Sequence, residues 1–333
     1  MGITIKELSE LSGYSPATIS RVITNKGNVR EKTRLEIQKL LAKYNYKPNL
    51  SDVRKSAYRE RTVMLLIGDM SNQFYIEQVT YLAKSIRNHD YVAMIAYTGG
   101  ETSEEEEYTE MAISEGYAGM VYFNVRGGEH LAQILNDSRI PAVFLNRSID
   151  YASFDSVCSD NYRGGYMVTK YLIERGHRKI GHLAGNRYSN TTRERVRGYV
   201  DAMKESGLPV SDYSIYYGNL DRESGYKFGE TIIKEDRGYS AVFCGNDLMA
   251  DGLCHALRDY GVRVPEDISI VCYDNTIISQ SLNLTRVSSN PRKMVESAIE
   301  LLLKRISDRE SDAQSVLFSP VILAGESVIR RNK

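Results

Sequence analysis

The sequence predicts an α/β protein: a small unit of three helices, then a body of two lobes, each a doubly wound parallel sheet. Three observations predict it. The first sixty residues carry short helical apolar patterns punctuated by Gly13, Pro16 and Pro48. From Thr62 onward, apolar runs alternate with amphipathic stretches. That alternation comes in two series, TVMLLIGDM to SVCSD and KIGHLAG to SIVCYD. Such alternation gives parallel sheets with helices on both faces.

The first helix opens on Thr4-Ile5-Lys6-Glu7, a capping box in which the Thr hydroxyl serves the Glu amide and the Glu carboxylate reaches back. Ile5, Leu8 and Leu11 recur at helical spacing, and Gly13 ends the helix. Ser15 suits an N-cap and Pro16 the first helical position, where no amide donor is missed. Asn25-Lys26-Gly27 stops the second helix. The third is expected from about Glu31 to Tyr44, with Ile37, Leu40, Leu41 and Tyr44 facing inward. Two helices joined by a tight turn with a third across them make a helix-turn-helix, whose second helix enters the major groove by its N-terminal end. Here that end is Pro16 and Ala17, small enough for close approach. Arg21, about one turn on, could fork onto a guanine edge. Thr18 and Ser20 could hold phosphates or bases.

Charge agrees. Residues 1–60 hold 12 Lys and Arg against 6 Asp and Glu, while the remainder holds 31 against 37. A basic arm on an acidic body suits a polyanion partner. The rest of the composition narrows the class. With 42% hydrophobic and 26% charged residues, 333 residues describe a globular chain of about two 150-residue domains. No apolar run approaches the roughly 18 residues of a membrane span. The charged MGITIKELSE start does not suit a signal peptide, and Lys6 stands where a myristoylation site needs Ser or Thr, so the expected location is cytoplasmic. Cys158, Cys244, Cys254 and Cys272 show no metal or redox spacing. No G-x-G-x-x-G follows a strand and no P-loop appears. No cofactor, metal or catalytic residue is expected. His177 and His182 flank a buried strand and read as structural. The Glu104–Glu107 run reads as a solvated helix start capped by Ser103.

Binding residues in such sheets lie beyond the carboxyl ends of strands. Those ends include Asp69–Tyr75, Asn124–Arg126, Asn146–Arg147, Gly185–Tyr188, Gly245–Asp247 and Asp274–Asn275. Asn, Asp and Arg with aromatic rings suit a small hydroxyl-rich ligand. Asn124 and Tyr188 are candidates on this ground.

The stretch ITIKELSELSGYSPATISRVITNKGNVREKTRLEIQKLLAKYNYKPN resembles the DNA-binding headpiece of the lactose-repressor (LacI/GalR) family. The matching pieces are A-T-I-S-R-V, K-T-R and Y-N-Y-K-P-N, and the likeness continues over nearly the whole chain. It implies a headpiece over 1–47, a hinge over 48–61, and a periplasmic-binding-protein-like body. The expected N-terminal lobe is 62–160 plus 290–320, and the C-terminal lobe 161–289 plus 321–333. It implies base reading by Pro16, Ala17 and Arg21. Thr4, Ser15, Thr18, Ser20, Asn25 and Asn28 complete the candidate DNA set. The hinge departs from the family: Lys55 stands where an apolar wedge is usual, and suits a phosphate contact rather than insertion between base steps. In the body, MSNQFY gives Phe74 and Tyr75 as ligand contacts. FLNRSID gives Arg147, with Asn146 departing from the family's Asp. RVRG gives Arg195, CGNDLMADG gives Asn246, and VCYDN gives Asp274 as a hydroxyl acceptor. Asp247 fits a helix cap best.

The expected function is a ligand-responsive, sequence-specific DNA-binding transcriptional repressor. It would be a homodimer on a near-palindromic operator, with a sugar or sugar derivative between the lobes. Two alternatives stand beside it: a two-lobe sugar-binding protein without DNA regulation, and an enzyme on a doubly wound fold. Operator binding and ligand turnover separate the three.

Overall fold

The computed structural model describes residues 5–23, 29–44, 46, 58–147 and 154–331. The chain divides into two compact units, residues 1–61 and 62–333.

In the first unit, α1 (Ile5–Ser12), α2 (Pro16–Ile23) and α3 (Glu31–Lys43) pack around Leu8, Ile19, Val22 and Ile37. Gly13 takes a left-handed φ of 73° and its amide bonds back to the Ser9 carbonyl, which stops α1. The Ser15 hydroxyl accepts from the Thr18 amide, so α2 starts on Ser15 with Pro16 at its first helical position. The Tyr14 hydroxyl donates to Glu36, tying the turn to α3. Two expected inner residues differ: Leu11 is 57% exposed and Tyr44 lies on the surface. The core is small enough to be filled by one residue per turn from each helix. Thr4 and its capping box fall outside the described residues.

The second unit holds two six-stranded sheets. The first comprises β1 (Thr62–Ile67), β2 (Val92–Tyr97), β3 (Gly119–Phe123), β4 (Ala142–Leu145), β5 (Asp155–Ser159) and β11 (Ser315–Phe318). Its order is β11-β5-β4-β3-β1-β2, parallel throughout. The alternation along β1 shows how it is held. Val63, Leu65 and Ile67 face α4 (Gln73–Asn88) and α12 (Pro291–Ser307), whereas Met64 and Leu66 face α5 (Thr102–Ser114) and α6 (Glu129–Ser138). Each such side chain contributes about 1.5–3 kcal/mol by leaving water.

The second sheet comprises β6 (Ile180–Ala184), β7 (Ile215–Tyr217), β8 (Ala241–Cys244), β9 (Ser269–Tyr273), β10 (Thr285–Ser288) and β12 (Val321–Leu323), ordered β12-β10-β9-β8-β6-β7. The expected all-parallel sheet is corrected at its edge, where β12 runs antiparallel to β10. Between β10 and β12 the chain visits the first lobe for α12 and β11, and it re-enters the second sheet through only Ser319-Pro320. Leu183, Val242 and Ile270 pack under α9 (Arg222–Lys234) and α10 (Asp247–Asp259). Phe243, Val271 and Tyr273 pack under α7 (Asn161–Glu174) and α8 (Asn190–Glu205). A short helix, α11 (Ile277–Ser281), lies between β9 and β10.

Each helix pair is drawn together by glycine. A Cβ on Gly165 of α7 would lie 2.2 Å from the Arg195 carbonyl of α8, and one on Gly198 would lie 2.2 Å from the Tyr162 carbonyl. Tyrosine–carboxylate bonds tie the outer faces: Tyr162 to Asp201 and Tyr166 to Glu205, and in the other pair Tyr226 to Asp259 and Tyr260 to Glu230. The chain passes between lobes three times, after β5, after β10 and after β11. These crossings are laced together: the Asp160 amide donates to the Phe318 carbonyl, and the Ser159 and Ser289 hydroxyls bond each other.

Gly165→Ala is expected to destabilise the body by about 1–3 kcal/mol, because backbone must shift to admit the methyl group. Thermal unfolding measures it; a melting temperature equal to the parent's would show that the two helices can separate freely.

Candidate functional site

In the first unit α2 turns Ile19 and Val22 inward and leaves Pro16, Ala17 and Arg21 exposed on its other side. Thr18 and Ser20 are half-buried beside them, and the Ser15 and Thr18 hydroxyls lie 2.8 Å apart. The second helix therefore presents two small residues at its start and a cation one turn on. Thr4, Asn25, Asn28 and Lys55 fall outside the described residues.

In the second unit a cavity of about 60 Å³ lies between the lobes, lined from both sheets beyond their carboxyl ends. The first lobe supplies Phe74, Tyr75, Asn124 and Arg147. Asn72 caps α4 by accepting from the Phe74 amide at 2.9 Å, which sets both rings at the cavity; they meet edge-on with centroids 5.4 Å apart. Burial pushes the Tyr75 phenol up to about 12, against the pull of Arg147, so it stays a neutral donor. Asn124 sits at a left-handed φ of 48°. The loop after it hangs on Glu105, whose carboxylate accepts from the Arg126 and Gly127 amides at 2.8 and 2.9 Å. This corrects the solvated reading of that acidic run. Glu105 is fully buried, α5 begins at Thr102, and Ser103 is not its cap. Arg147 donates to the Val125 carbonyl at 2.9 Å and across the cleft to the Ser189 hydroxyl at 3.3 Å.

The second lobe supplies Arg195, Asn246 and Asp274. Arg195 lies flat on Tyr273, its guanidinium carbon 3.4 Å from the ring centroid. Its Nε donates to Asn161 at 2.9 Å and its Nη1 to the Gly245 carbonyl at 2.6 Å. Asn246 caps α10 through the Met249 amide and donates to the Leu220 carbonyl. The cap assigned to Asp247 is therefore Asn246, because the capping side chain must precede the first helical turn. Asp247 is fully buried, accepts from Thr276 through one oxygen, and leaves the other without a hydrogen-bond partner. Asp274, at φ 75°, is almost buried. Its carboxyl is pushed up to about 7 by burial, opposed by Arg195 and reinforced by the negative charges of Asp247 and Glu77.

Seven of the eight expected ligand residues line this cavity. Tyr188 does not: it is 84% exposed, held outside by an Asn186 turn in which its amide donates to Asn186 Oδ1. Residues the sequence reading missed also line it, among them Asn161, Ser189, Thr191 and Ser288. Asn161, Ser189 and Thr191 come from helix starts, and Ser288 ends β10 where the chain crosses to the first lobe. Asn146 is spoken for by Gln78, to which its amide donates at 2.6 Å. His182 stacks on Phe243 with centroids 4.2 Å apart, and burial lowers it to about 4, so it is neutral and structural. His177 bonds Ser240 and the Ile329 carbonyl. Burial raises all four thiols. Among the described residues no helix is long and apolar enough to cross a membrane.

Residues 4–49 match the family described as bacterial regulatory proteins, lacI family, and residues 169–328 match the periplasmic binding protein-like domain. The chain is 30% identical to the HTH-type transcriptional repressor PurR of Vibrio atlanticus (strain LGP32), over 98% of both chains. The chain belongs to the LacI family. Solved LacI-type structures agree in fold. Transcription regulator CcpA of Lactococcus lactis is 26% identical with a TM-score of 0.73, covering 80% of this chain and 98% of that one. A transcriptional regulator CelR–cellobiose complex is 24% identical with a TM-score of 0.74, covering 98% and 99%. A LacI-family chain with this headpiece and body is a ligand-responsive, DNA-binding transcription regulator, and its partners are operator DNA and a small-molecule effector.

Asp274→Asn is expected to remove a pH dependence of stability. In the folded chain the carboxyl is raised above the unfolded value of about 3.9, so the folded state holds an extra proton and stability falls as pH rises from about 4 to about 7. The Asn variant is expected to melt above the parent at about pH 8, with the difference shrinking by about pH 4. A difference that does not vary with pH would mean that the carboxylate is satisfied in the folded protein.

Proposed function

We propose that the chain is a homodimeric repressor, located in the cytoplasm and without enzymatic activity, that reads its operator with Pro16, Ala17 and Arg21. Its effector is a neutral, hydroxyl-rich small molecule, a sugar or sugar derivative. The observation that carries the effector reading is Asp274. Its carboxyl faces the cavity with no hydrogen-bond donor from the described residues, while Arg195 donates to Asn161 and the Gly245 carbonyl, Asn246 to the Leu220 carbonyl and Arg147 to the Val125 carbonyl. A ligand must therefore bring hydroxyl donors to Asp274 and take leftover donors from Arg195, Arg147 and Asn246. Phe74, Tyr75 and Tyr273 supply apolar faces for a sugar ring. Asp274 calls for hydroxyl donors, which an anion that only accepts does not bring, and this favours a neutral, hydroxyl-rich ligand.

A cavity of about 60 Å³ holds only a few waters, so a sugar is admitted as the lobes part and is then gripped from both sides. The lobe arrangement is the two-state element. A ligand that favours one arrangement changes operator affinity, and operator changes ligand affinity by the same factor, typically 5–150-fold.

A dimer is supported by β2. It is the outer strand of its sheet and leaves Val92, Met94, Ile95 and Tyr97 exposed, the last two at 50% and 54%. An uncovered apolar edge strand is an association surface. One recognition helix reads only a half-site, so a twofold pair suits a near-palindromic operator.

Arg21→Ala is expected to weaken specific operator binding by about 1–3 kcal/mol while effector titration is unchanged. Arg195→Ala is expected to do the reverse: operator binding persists and stops responding to a sugar. Gel-shift titrations with and without effector separate the two, and equal loss on specific and random DNA would reduce Arg21 to a phosphate contact. Ile95→Asp is expected to yield monomers in sedimentation equilibrium and to lower operator affinity; a variant that stays dimeric would move the interface elsewhere.

A further inference from the structure

We propose that the second lobe carries another ligand site, for an organic phosphate with a flat body, at the end of its sheet opposite the effector cleft. A cavity of about 420 Å³ opens there. It lies at the amino ends of β6, β7 and β8, where Arg178, Lys179, Tyr213, Tyr239 and Arg237 stand just before or around the strands. The effector cleft lies beyond the carboxyl ends of the same strands. A strand of five residues separates the two by about 15 Å. The space falls within the few hundred Å³ usual for small-ligand sites.

The charge in this cavity is unbalanced. Three cations, Arg178, Lys179 and Arg237, face one carboxylate, Glu235. Arg237 is matched: it pairs with Glu235 at 2.7 Å and donates to the Tyr213 carbonyl at 3.1 Å. Arg178 spends one nitrogen on the Ile173 carbonyl at 3.1 Å. Neither Arg178 nor Lys179 has an ion-pair partner among the described residues. Two unmatched adjacent cations fit a phosphate monoester, which carries about −1.5 to −2 at neutral pH, better than a single carboxylate. The Arg fork matches two phosphate oxygens, and the Lys supplies a point charge.

The walls call for more than a bare ion. The Tyr213 ring is 70% exposed at the mouth, with the Arg237 guanidinium 5.4 Å from its centroid. Tyr239 is anchored below it, its hydroxyl donating to the Tyr213 carbonyl at 2.5 Å. Met203 and Pro209 complete an apolar side. A flat ring can stack on Tyr213 while its phosphate reaches Arg178 and Lys179.

The test is calorimetric titration of the full-length protein with phenyl phosphate, inorganic phosphate and phenol at constant ionic strength. Phenyl phosphate is expected to bind saturably and at least about tenfold more tightly than either fragment. R178Q/K179Q, two exposed positions, is expected to weaken it about tenfold or more, and Y213A is expected to remove the preference over inorganic phosphate. R195A, in the other cleft, is expected to bind phenyl phosphate like the parent. No saturable binding up to about 10 mM, binding unchanged in R178Q/K179Q, equal affinity for inorganic phosphate, or loss of binding in R195A each overturns the proposal.

Discussion

The body depends on how closely α7 lies against its neighbours. Gly164 and Gly165 give α7 a bare face for one turn. On one side a Cβ at Gly164 would sit 1.9 Å from the Tyr273 hydroxyl, and on the other Gly165 touches the Arg195 carbonyl. Tyr273 and Arg195 are the stacked pair that forms one wall of the cavity between the lobes. Backbone contact thus places the Arg195 main chain, and Asn161, the Gly245 carbonyl and the Tyr273 ring then fix its guanidinium. Such positioning suits recognition, because a long Arg otherwise loses rotamer freedom of up to about 2 kcal/mol on being fixed. The same pair of glycines follows directly on Asn161, the residue that accepts from Arg195, so hinge, helix start and cavity wall lie within one short run of sequence.

The electrostatics of the cleft are arranged to leave one demand unmet. Asp247 and Asp274 stand together at the ends of β8 and β9, and burial raises both. Asp247 receives Thr276, whereas Asp274 receives no side-chain donor that the structure records. His182 cannot relieve them, since it is buried, neutral, and turned to the Phe243 carbonyl. A buried carboxyl left without a donor costs the folded protein stability, a common feature of binding sites.

Much of this was legible in the sequence, and what was not has identifiable causes. The inner strands were readable because both of their faces are buried, leaving continuous apolar runs such as TVMLLI and AVFC. The cleft residues at strand ends followed from topology and from the family resemblance. Asn161 and Ser288 were not visible because they flank crossings between lobes, and Ser189 because it immediately precedes α8; no local pattern marks them. Tyr188 was misplaced because an aromatic beyond a strand end reads the same whether its turn points it inward or away; the Asn186 turn decides, and that depends on a side-chain bond. Glu105 was lost in a run of four glutamates whose exposure differs only by helical phase. Asn246 and Asp247 were exchanged as cap because the boundary was off by one residue, the usual error at helix starts.

The three laced crossings carry a consequence for how the chain acquires its shape. Strands β6 to β10 of the second lobe are inserted between β5 and β11, whose residues Ser156 and Ser315 meet across 159 positions of sequence. A ribosome must therefore finish almost the whole polypeptide before the first sheet gains its outer strand. The last strand of each sheet arrives in the same closing segment, β11 for one and β12 for the other. Loop closure over such distances is slow, and nascent chains lacking that segment expose two unfinished sheet edges at once. A stop codon a few dozen residues early would damage both lobes together, and the cell's quality control would meet a chain that neither lobe alone could rescue.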